Sequence, residues 1–176
     1  LKCVTSGLRG LVSELAGLPS YAHARAFCAM LLEDAAAGPR GEILIGRDLR
    51  SSSPLIASQC AQAVADAGLV PVDCGAVPTP ALAQAAMATG SPAVMVTGSH
   101  IPDDRNGLKF YRAQGEIDKA DEARILARHA ALALATAPEV SATAQPRDVL
   151  AGYRSRYADF FGRALEGLTI GVYQHS

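Results

Sequence analysis

Residues 92–111 read PAVMVTGSHIPDDRNGLKFY, an apolar run followed by a polar loop and a second apolar run. The first run predicts a buried strand over 92–96 and the second predicts another over 108–111. Only about ten residues separate them, too few for a crossover helix, so we expect these two strands to be antiparallel. The polar loop then follows the C-terminal end of a buried strand, where open α/β sheets usually bind ligands.

Upstream of this stretch, strand and helix patterns alternate. Ser20 is a candidate helix cap, as are the three serines before Pro54, and Asp118 can begin a later helix. The predicted strands cover 42–46 and 69–74, and the predicted helices cover 21–37, 54–67, 79–89 and 118–135. This alternation predicts an α/β fold, a layered α/β/α domain with a mixed, mainly parallel sheet of four strands whose last strand is antiparallel.

The segment 136–145 lacks apolar periodicity and is the expected domain boundary. We therefore assign residues 1–140 to a first domain, and 141–176 to a linker and the opening helix and strand of a second. In that second part the pattern predicts a helix over 148–161 and a strand over 168–173. Because the chain begins without Met and ends just after this predicted strand, we expect it to be the N-terminal fragment of a larger protein.

Composition limits the classes of partner. The 176 residues are 49% hydrophobic and carry a net charge of −1, which argues against a nucleic-acid-binding surface. The sequence holds neither a signal-peptide h-region nor an apolar run of about 18 residues, so we expect no membrane partner. Four cysteines without a C-x-x-C pair fit a reducing cytoplasm better than a disulfide framework.

The polar loop carries three chemically useful side chains within eleven residues. Ser99 supplies a hydroxyl nucleophile, His100 a group that titrates near neutrality, and Lys109 a fixed cation, while Gly98 allows a sharp turn. The alternative is that Ser99 and His100 only satisfy hydrogen bonds of a turn, because serine is common in turns for local reasons.

Near the N-terminus, residues 5–10 read TSGLRG and place Arg9 between two glycines. A guanidinium there suits bidentate binding of a phosphate group, although an arginine in a surface turn is the alternative.

Residues 46–54 read GRDLRSSSP and lie between a predicted strand and a predicted helix. They fit an anion site at a helix N-terminus, or a structural ion-pair cluster of Arg47, Asp48 and Arg50. We slightly favour the ion-pair cluster.

Taken together, in this order and spacing, the three segments resemble the α-D-phosphohexomutases. That family combines a G-x-R-G turn, a G-R-D-x-R-x-S-S loop and a T-x-S-H-x-P…N-G-x-K loop in its first domain. The match covers most of 6–111, and its wording is most similar to phosphomannomutase members. Gly98 and Ile101 stand where many relatives have Ala and Asn, which implies the loss of one local polar contact at Ile101.

The resemblance implies roles for individual residues. Ser99 would be the phosphoserine that donates its phosphoryl group, with His100 and Lys109 as further catalytic residues. Ser6, Arg9 and Lys109 would bind phosphate groups. Whether Lys109 or His100 acts as the general base stays open, with Lys109 ranked first.

The resemblance also implies partners and a cofactor. Its substrates would be a hexose phosphate, mannose first and glucose as the alternative, and a hexose bisphosphate intermediate. One Mg²⁺ per full-length protein would bind Ser99 through its phosphate, with the other ligands in an Asp-rich loop of a second domain. Further domains of the same chain would complete the active site, so we expect the chain alone to be inactive.

Two other classes of protein remain as rivals. A serine hydrolase is disfavoured because T-G-S-H is not G-x-S-x-G, and Ser99 cannot easily use the directly following His100 as a triad base. A non-catalytic sugar-phosphate-binding module is the remaining alternative, which the joint presence of Ser99, Lys109 and Arg9 disfavours.

Overall fold

The computed structural model describes residues 2–4 and 7–173, the first of these segments by its backbone alone. The strands are β1 (Lys2–Val4), β2 (Gly7–Leu11), β3 (Glu42–Arg47), β4 (Val70–Ala76), β5 (Ala93–Val96), β6 (Arg105–Arg112), β7 (Gly115–Glu116) and β8 (Gln145–Pro146). The helices are α1 (Val12–Leu15), α2 (Leu18–Glu33), α3 (Ser53–Asp66), α4 (Thr79–Thr89), α5 (Lys119–Ala131) and α6 (Leu150–Phe161).

The strands form one mixed sheet in the order β1-β2-β6-β5-β3-β4-β8, with β7 paired to β6. The predicted α/β class is confirmed: β3 pairs in parallel with β4 and β5, whereas β6 is antiparallel to β5. The predicted number of four strands is wrong, since the sheet of the described residues has eight. The four additional strands are two to five residues long, too short to show an alternating pattern in the sequence.

Helices cover both faces of the sheet, as the layered prediction required. The larger core lies on the side of α2, α3 and α5, where the rings of Phe27 and Phe110 pack 4.8 Å apart. The smaller core, on the side of α4, contains Leu44, Met95 and Tyr111. Burying each large apolar side chain contributes roughly 1.5–3 kcal/mol to stability. Because the larger cluster contains more such side chains, it contributes more to the stability of the domain than the smaller one.

Helix ends depart from the predictions where a serine was expected to cap. Gly17, with φ +90°, precedes α2, and Ser20 lies inside the helix, where its hydroxyl donates to Gln59 Oε1 at 2.6 Å. Ser52 precedes α3 without a capping side-chain bond, and its hydroxyl instead accepts a bond from Asn106 Nδ2 at 2.9 Å. The predicted cap of α5 is confirmed: Asp118 accepts a bond from the Asp121 amide at 2.8 Å.

Residues 141–149, here called the strap, pass around the β4 edge of the sheet. The amides of Ser141 and Ala142 donate to Gln62 on α3, and β8 then pairs with β4. Arg147 makes two 2.9 Å bonds to the carboxylate of Glu42, and Val149 is buried in the smaller core. The strap therefore carries the chain from one face of the sheet to the other, and the boundary at residue 140 stays a prediction.

The helix predicted over 148–161 is confirmed as α6, but the strand predicted over 168–173 is wrong. Those residues are irregular and exposed, with Val172 at 85% and Tyr173 at 90%. A strand needs a neighbour to receive its backbone hydrogen bonds, and residues 168–173 do not pair with the described sheet. In the part of the chain that the structure covers, 2–4 and 7–173, none of the helices is long and apolar enough to span a bilayer.

Candidate active site

A cleft of about 420 Å³ opens at one edge of the sheet, where the loops after β3 and β5 meet. These strands are parallel, so their C-terminal ends lie side by side, and the amide of Asp48 donates to Val96 O at 2.9 Å. The cleft is lined by Asp48, Leu49, Arg50, Ser51, Thr97, Ser99 and Asp103. The predicted nucleophile therefore lies in a concave polar site at the expected edge.

Asp48 holds the two loops together through both of its carboxylate oxygens. Oδ1 accepts bonds from the Ser53 hydroxyl at 2.6 Å and the Arg50 amide at 3.1 Å. Oδ2 accepts from the Thr97 hydroxyl at 3.0 Å and the Gly98 amide at 2.9 Å. Burial alone would raise the pKa of Asp48, but these hydrogen bonds outweigh it and hold the pKa below its usual value. Asp48 is therefore an ionised anchor at the base of the cleft.

Arg50 reaches across the cleft into the loop after β5, with its side chain only 14% exposed. Its Nε lies 3.3 Å from Asp48 Oδ2, and Nη1 lies 3.3 Å from Asp103 Oδ1. Its two Nη groups donate to four backbone carbonyl oxygens, those of Ser99 (3.3 Å), Ile101 (2.6 Å), Pro102 (2.8 Å) and Arg105 (3.2 Å). Of the two interpretations of 46–54, the structural ion-pair cluster agrees with this geometry. Arg47 contributes less, with one long bond of 3.4 Å to Asp48 O.

Ser99 is exposed at the mouth of the cleft in an unusual conformation. Its φ of +53° is left-handed, which costs a non-glycine residue roughly 1–2 kcal/mol. The Ser99 amide donates to the Thr97 hydroxyl at 2.9 Å, and Ser99 Oγ lies 3.2 Å from Nδ1 of His100. Two of the predicted catalytic residues are thus in contact, and the hydroxyl faces open space.

Arg9 and Lys109 lie on the same face of the β2–β6 pair. Arg9 is opposite Gly107 and Lys109 is opposite Gly7, so the two cations are diagonal neighbours above two glycines. Among the described residues, the Arg9 guanidinium has neither a hydrogen-bond partner nor an ion-pair partner. Lys109 Nζ donates to Glu116 Oε1 at 3.0 Å, so in this structure it is engaged away from Ser99. The predicted phosphate ligand Ser6 lies outside the described residues.

Three residues that shape the site were not singled out as site residues from the sequence: Asp48, Arg50 and Asn106. Asn106 is fully buried, and its amide donates to the hydroxyls of Ser52 and Ser53 at 2.9 Å, which ties β6 to the start of α3. Their position in the G-R-D-x-R and N-G-x-K patterns is the sequence signal that could have identified them as site residues.

The described residues offer little to a metal ion. Within 7–173, where side chains are described, no group of three or more His, Cys, Asp or Glu residues could hold one.

Comparisons of this sequence with known proteins agree with one another. Residues 1–136 match the family described as phosphoglucomutase/phosphomannomutase, alpha/beta/alpha domain I. The chain is 47% identical to a phosphomannomutase from Sinorhizobium fredii (strain NBRC 101917 / NGR234), over 98% of the chain and 37% of the relative. A phosphomannomutase from Salmonella muenchen is 36% identical over 98% of the chain and 35% of that protein. A phosphoglucosamine mutase from Hyphomonas neptunium is 37% identical over 87% of the chain and 34% of that protein.

Solved structures agree with these sequence matches. A putative phosphomannomutase from Thermus thermophilus superposes with a TM-score of 0.79 at 26% identity, over 96% of this chain and 38% of that one. The fold also matches a phosphoglucomutase/phosphomannomutase family protein from Burkholderia thailandensis, with a TM-score of 0.70 at 24% identity, over 88% of this chain and 34% of that one. The chain spans little more than a third of the length of the relatives it matches.

Proposed function

Since this chain belongs to the phosphoglucomutase/phosphomannomutase family and carries its alpha/beta/alpha domain I, we propose that it supplies the phosphoserine of a phosphohexomutase. The observation that carries the proposal is the exposed Ser99 hydroxyl, which lies in a polar cleft beside His100 on a loop that is hydrogen-bonded to Asp48 and Arg50. The reaction interconverts a hexose 1-phosphate and a hexose 6-phosphate.

The chemistry proceeds in two transfers. The bond between Ser99 Oγ and phosphorus breaks as a bond forms to a hydroxyl oxygen of the sugar, whose proton passes to a general base. Ser99 Oγ takes up a proton as it leaves. The resulting hexose bisphosphate then reorients, the bond between its other phosphorus and the sugar oxygen breaks as a bond forms to Ser99 Oγ, the serine proton passes to that sugar oxygen, and the new product leaves. Because little covalent chemistry is asked of the protein, positioning and charge stabilisation provide most of the rate.

The cations of the site have separate parts in this proposal. Arg9, whose guanidinium has no hydrogen-bond or ion-pair partner within residues 7–173, binds phosphate oxygens bidentately. Lys109 shares its sheet face and adds positive charge once it leaves Glu116. For the general base, contact with Ser99 Oγ supports His100, whereas Lys109 must first exchange its partner. A hydroxyl of Ser6 completes the phosphate ligands in the proposal.

Mg²⁺ is the metal that suits phosphate oxygens. Phosphorylated Ser99 would contribute one ligand, and the other ligands would come from outside the described residues. When bound, the ion would neutralise part of the phosphate charge. We further propose that mannose phosphate is preferred over glucose phosphate, on the names of the phosphomannomutase relatives. The proposed location remains the cytoplasm, on the cysteine pattern of the sequence.

Intact-mass analysis of the protein that carries this chain tests the proposal. After incubation with a hexose 1,6-bisphosphate, one stable phosphoryl group should map to Ser99, and Ser99→Ala should abolish both the label and mutase turnover. The fold should persist, because an exposed hydroxyl can be deleted at a cost within about 0.5 kcal/mol. Full turnover in the Ser99→Ala variant, with the phosphate on another residue, would remove Ser99 from the mechanism.

A further inference from the structure

The hydrogen bonds of Arg50 use both terminal nitrogens of its guanidinium group, whose N–H donors lie in a rigid plane. Nη1 donates to the backbone oxygens of Pro102 and Arg105, and Nη2 donates to those of Ser99 and Ile101. Nη1 also lies 3.3 Å from Asp103 Oδ1, on a fully exposed side chain, and Nε forms an ion pair with Asp48 Oδ2 at 3.3 Å. With both terminal nitrogens used in this way, Arg50 is not available as a phosphate ligand.

The loop leaves space for this guanidinium at one position. A Cβ atom on Gly98 would lie 2.1 Å from Arg50 Nε and 2.3 Å from Cζ, which is far closer than real Cβ contacts. The guanidinium of Arg50 therefore fills the space beside residue 98. An alanine there requires a shift of the flexible end of Arg50, and a larger side chain displaces it. Residue 98 directly precedes the left-handed Ser99, whose carbonyl oxygen is one of the four acceptors.

We propose that Arg50 is a positioning residue for phosphoryl transfer, which fixes the backbone of residues 99–105 and so presents the Ser99 hydroxyl at the cleft mouth. This inference rests on the proposed function of Ser99. Arg50 does not contact the transferred group but acts through the carbonyl oxygens of the loop. Its planar fork is required, because a lysine ammonium has three donors on a flexible stem and cannot reach the same acceptors together.

The test compares Arg50→Lys with wild type in the intact protein that carries this chain. Two quantities are measured: the single-turnover rate of Ser99 phosphorylation by glucose 1,6-bisphosphate, and hydrogen exchange of the amides in residues 97–106. We expect the rate to fall roughly 10- to 100-fold, the effect of a displacement of about 1 Å at a reacting group. KM should change little, and exchange in the loop should become faster. Arg47→Lys is the matched control, because within residues 7–173 the Arg47 side chain makes a single long bond, to Asp48 O, and it should behave as wild type.

A second variant displaces the guanidinium group of Arg50 while keeping its positive charge. Gly98→Val keeps Arg50 but places a branched side chain in the space that its guanidinium occupies, so it should slow Ser99 phosphorylation in the same way. In the Arg50→Ala background the valine meets no guanidinium, so adding Gly98→Val should cause no further loss. If the Arg50 variants fail to fold, Gly98→Val still decides the question.

The outcomes that overturn the inference are distinct. Arg50→Lys or Gly98→Val within twofold of the wild-type rate would show that the guanidinium fork is not needed. Losses that multiply in the double variant would show that Gly98 and Arg50 act independently. If wild-type protein takes up no phosphate at Ser99, the proposed function fails and this inference with it. Wild-type phosphorylation with unaffected Arg50 variants refutes the positioning role alone.

Discussion

The imidazole of His23 should make this domain less stable in mild acid. His23 lies on α2 with 5% of its surface exposed, and its Nδ1 donates to Pro19 O at 2.8 Å. Its ring stacks against His129 of α5 with the centroids 4.0 Å apart. Burial lowers the pKa of His23 from 6.5 to about 4; the Pro19 bond opposes this shift, and the neighbouring His129 adds to it.

The sign of the pH dependence follows from the lowered pKa. Between pH 6.5 and 4 the unfolded chain binds a proton at His23 that the folded chain does not bind, so the free energy of unfolding falls as the pH falls. With these two pKa values, the loss between pH 7 and pH 5 is about 2 kcal/mol. For a chain of this size that corresponds to a decrease in Tm of roughly 4–8 °C.

Urea titration of residues 1–176 at pH 7 and pH 5 measures this loss. The matched variant is His23→Phe, which keeps a ring in the same space and cannot titrate. Aspartates with lowered pKa values, such as Asp48 and Asp121, lose their stabilising charge only as the pH falls below the ordinary 3.8, so pH 5 excludes most of their contribution. Equal losses in wild type and His23→Phe would refute the argument, as would an NMR titration of His23 near pH 6.5.

Three further predictions concern the active site. Ser99→Gly should be more stable than Ser99→Ala by about 1 kcal/mol, because glycine adopts a φ of +53° without strain; equal urea midpoints would contradict this. Arg9→Ala in the intact protein should raise KM and lower kcat/KM, by an amount equivalent to a loss of about 1.5–3 kcal/mol of transition-state binding. Normal kinetics with a lower Tm would instead make Arg9 structural. Residues 1–176 alone should fold through the strap, to about residue 149, without mutase turnover, and turnover that Ser99→Ala abolishes would refute this.

The fold prediction was more accurate for long elements than for short ones. The strand pair 92–96 and 108–111 was placed correctly because each run is apolar and the connection is too short for a crossover. β7 and β8 contain two residues each, and a pattern with a period of two cannot be recognised over so short a segment. The predicted strand at 168–173 has the right pattern but receives no partner from the described sheet.

The sequence predicted those parts of the site whose residues are neighbours in the chain. Ser99 and His100 are adjacent in the chain, and their contact needs only a turn. The part played by Arg50 could not be predicted, because its acceptors are backbone carbonyl oxygens 49 to 55 positions away. Any residue type has a carbonyl oxygen, so no side-chain pattern in the loop marks the partners of Arg50. The engagement of Lys109 with Glu116 depends in the same way on the hairpin between β6 and β7.

The strap also determines where this chain can bend. The absence of apolar periodicity suggested that the segment 136–145 would be the domain boundary. Instead, the paired Arg147 and Glu42 and the buried Val149 fix the chain to the sheet up to the first residue of α6. Every residue of α6 is partly or fully exposed, so this helix is held much less firmly than the strap before it. A movement of α6 relative to the Ser99 cleft would therefore pivot at residues 149–150. This is about ten positions after the domain boundary that the sequence predicted at residue 140.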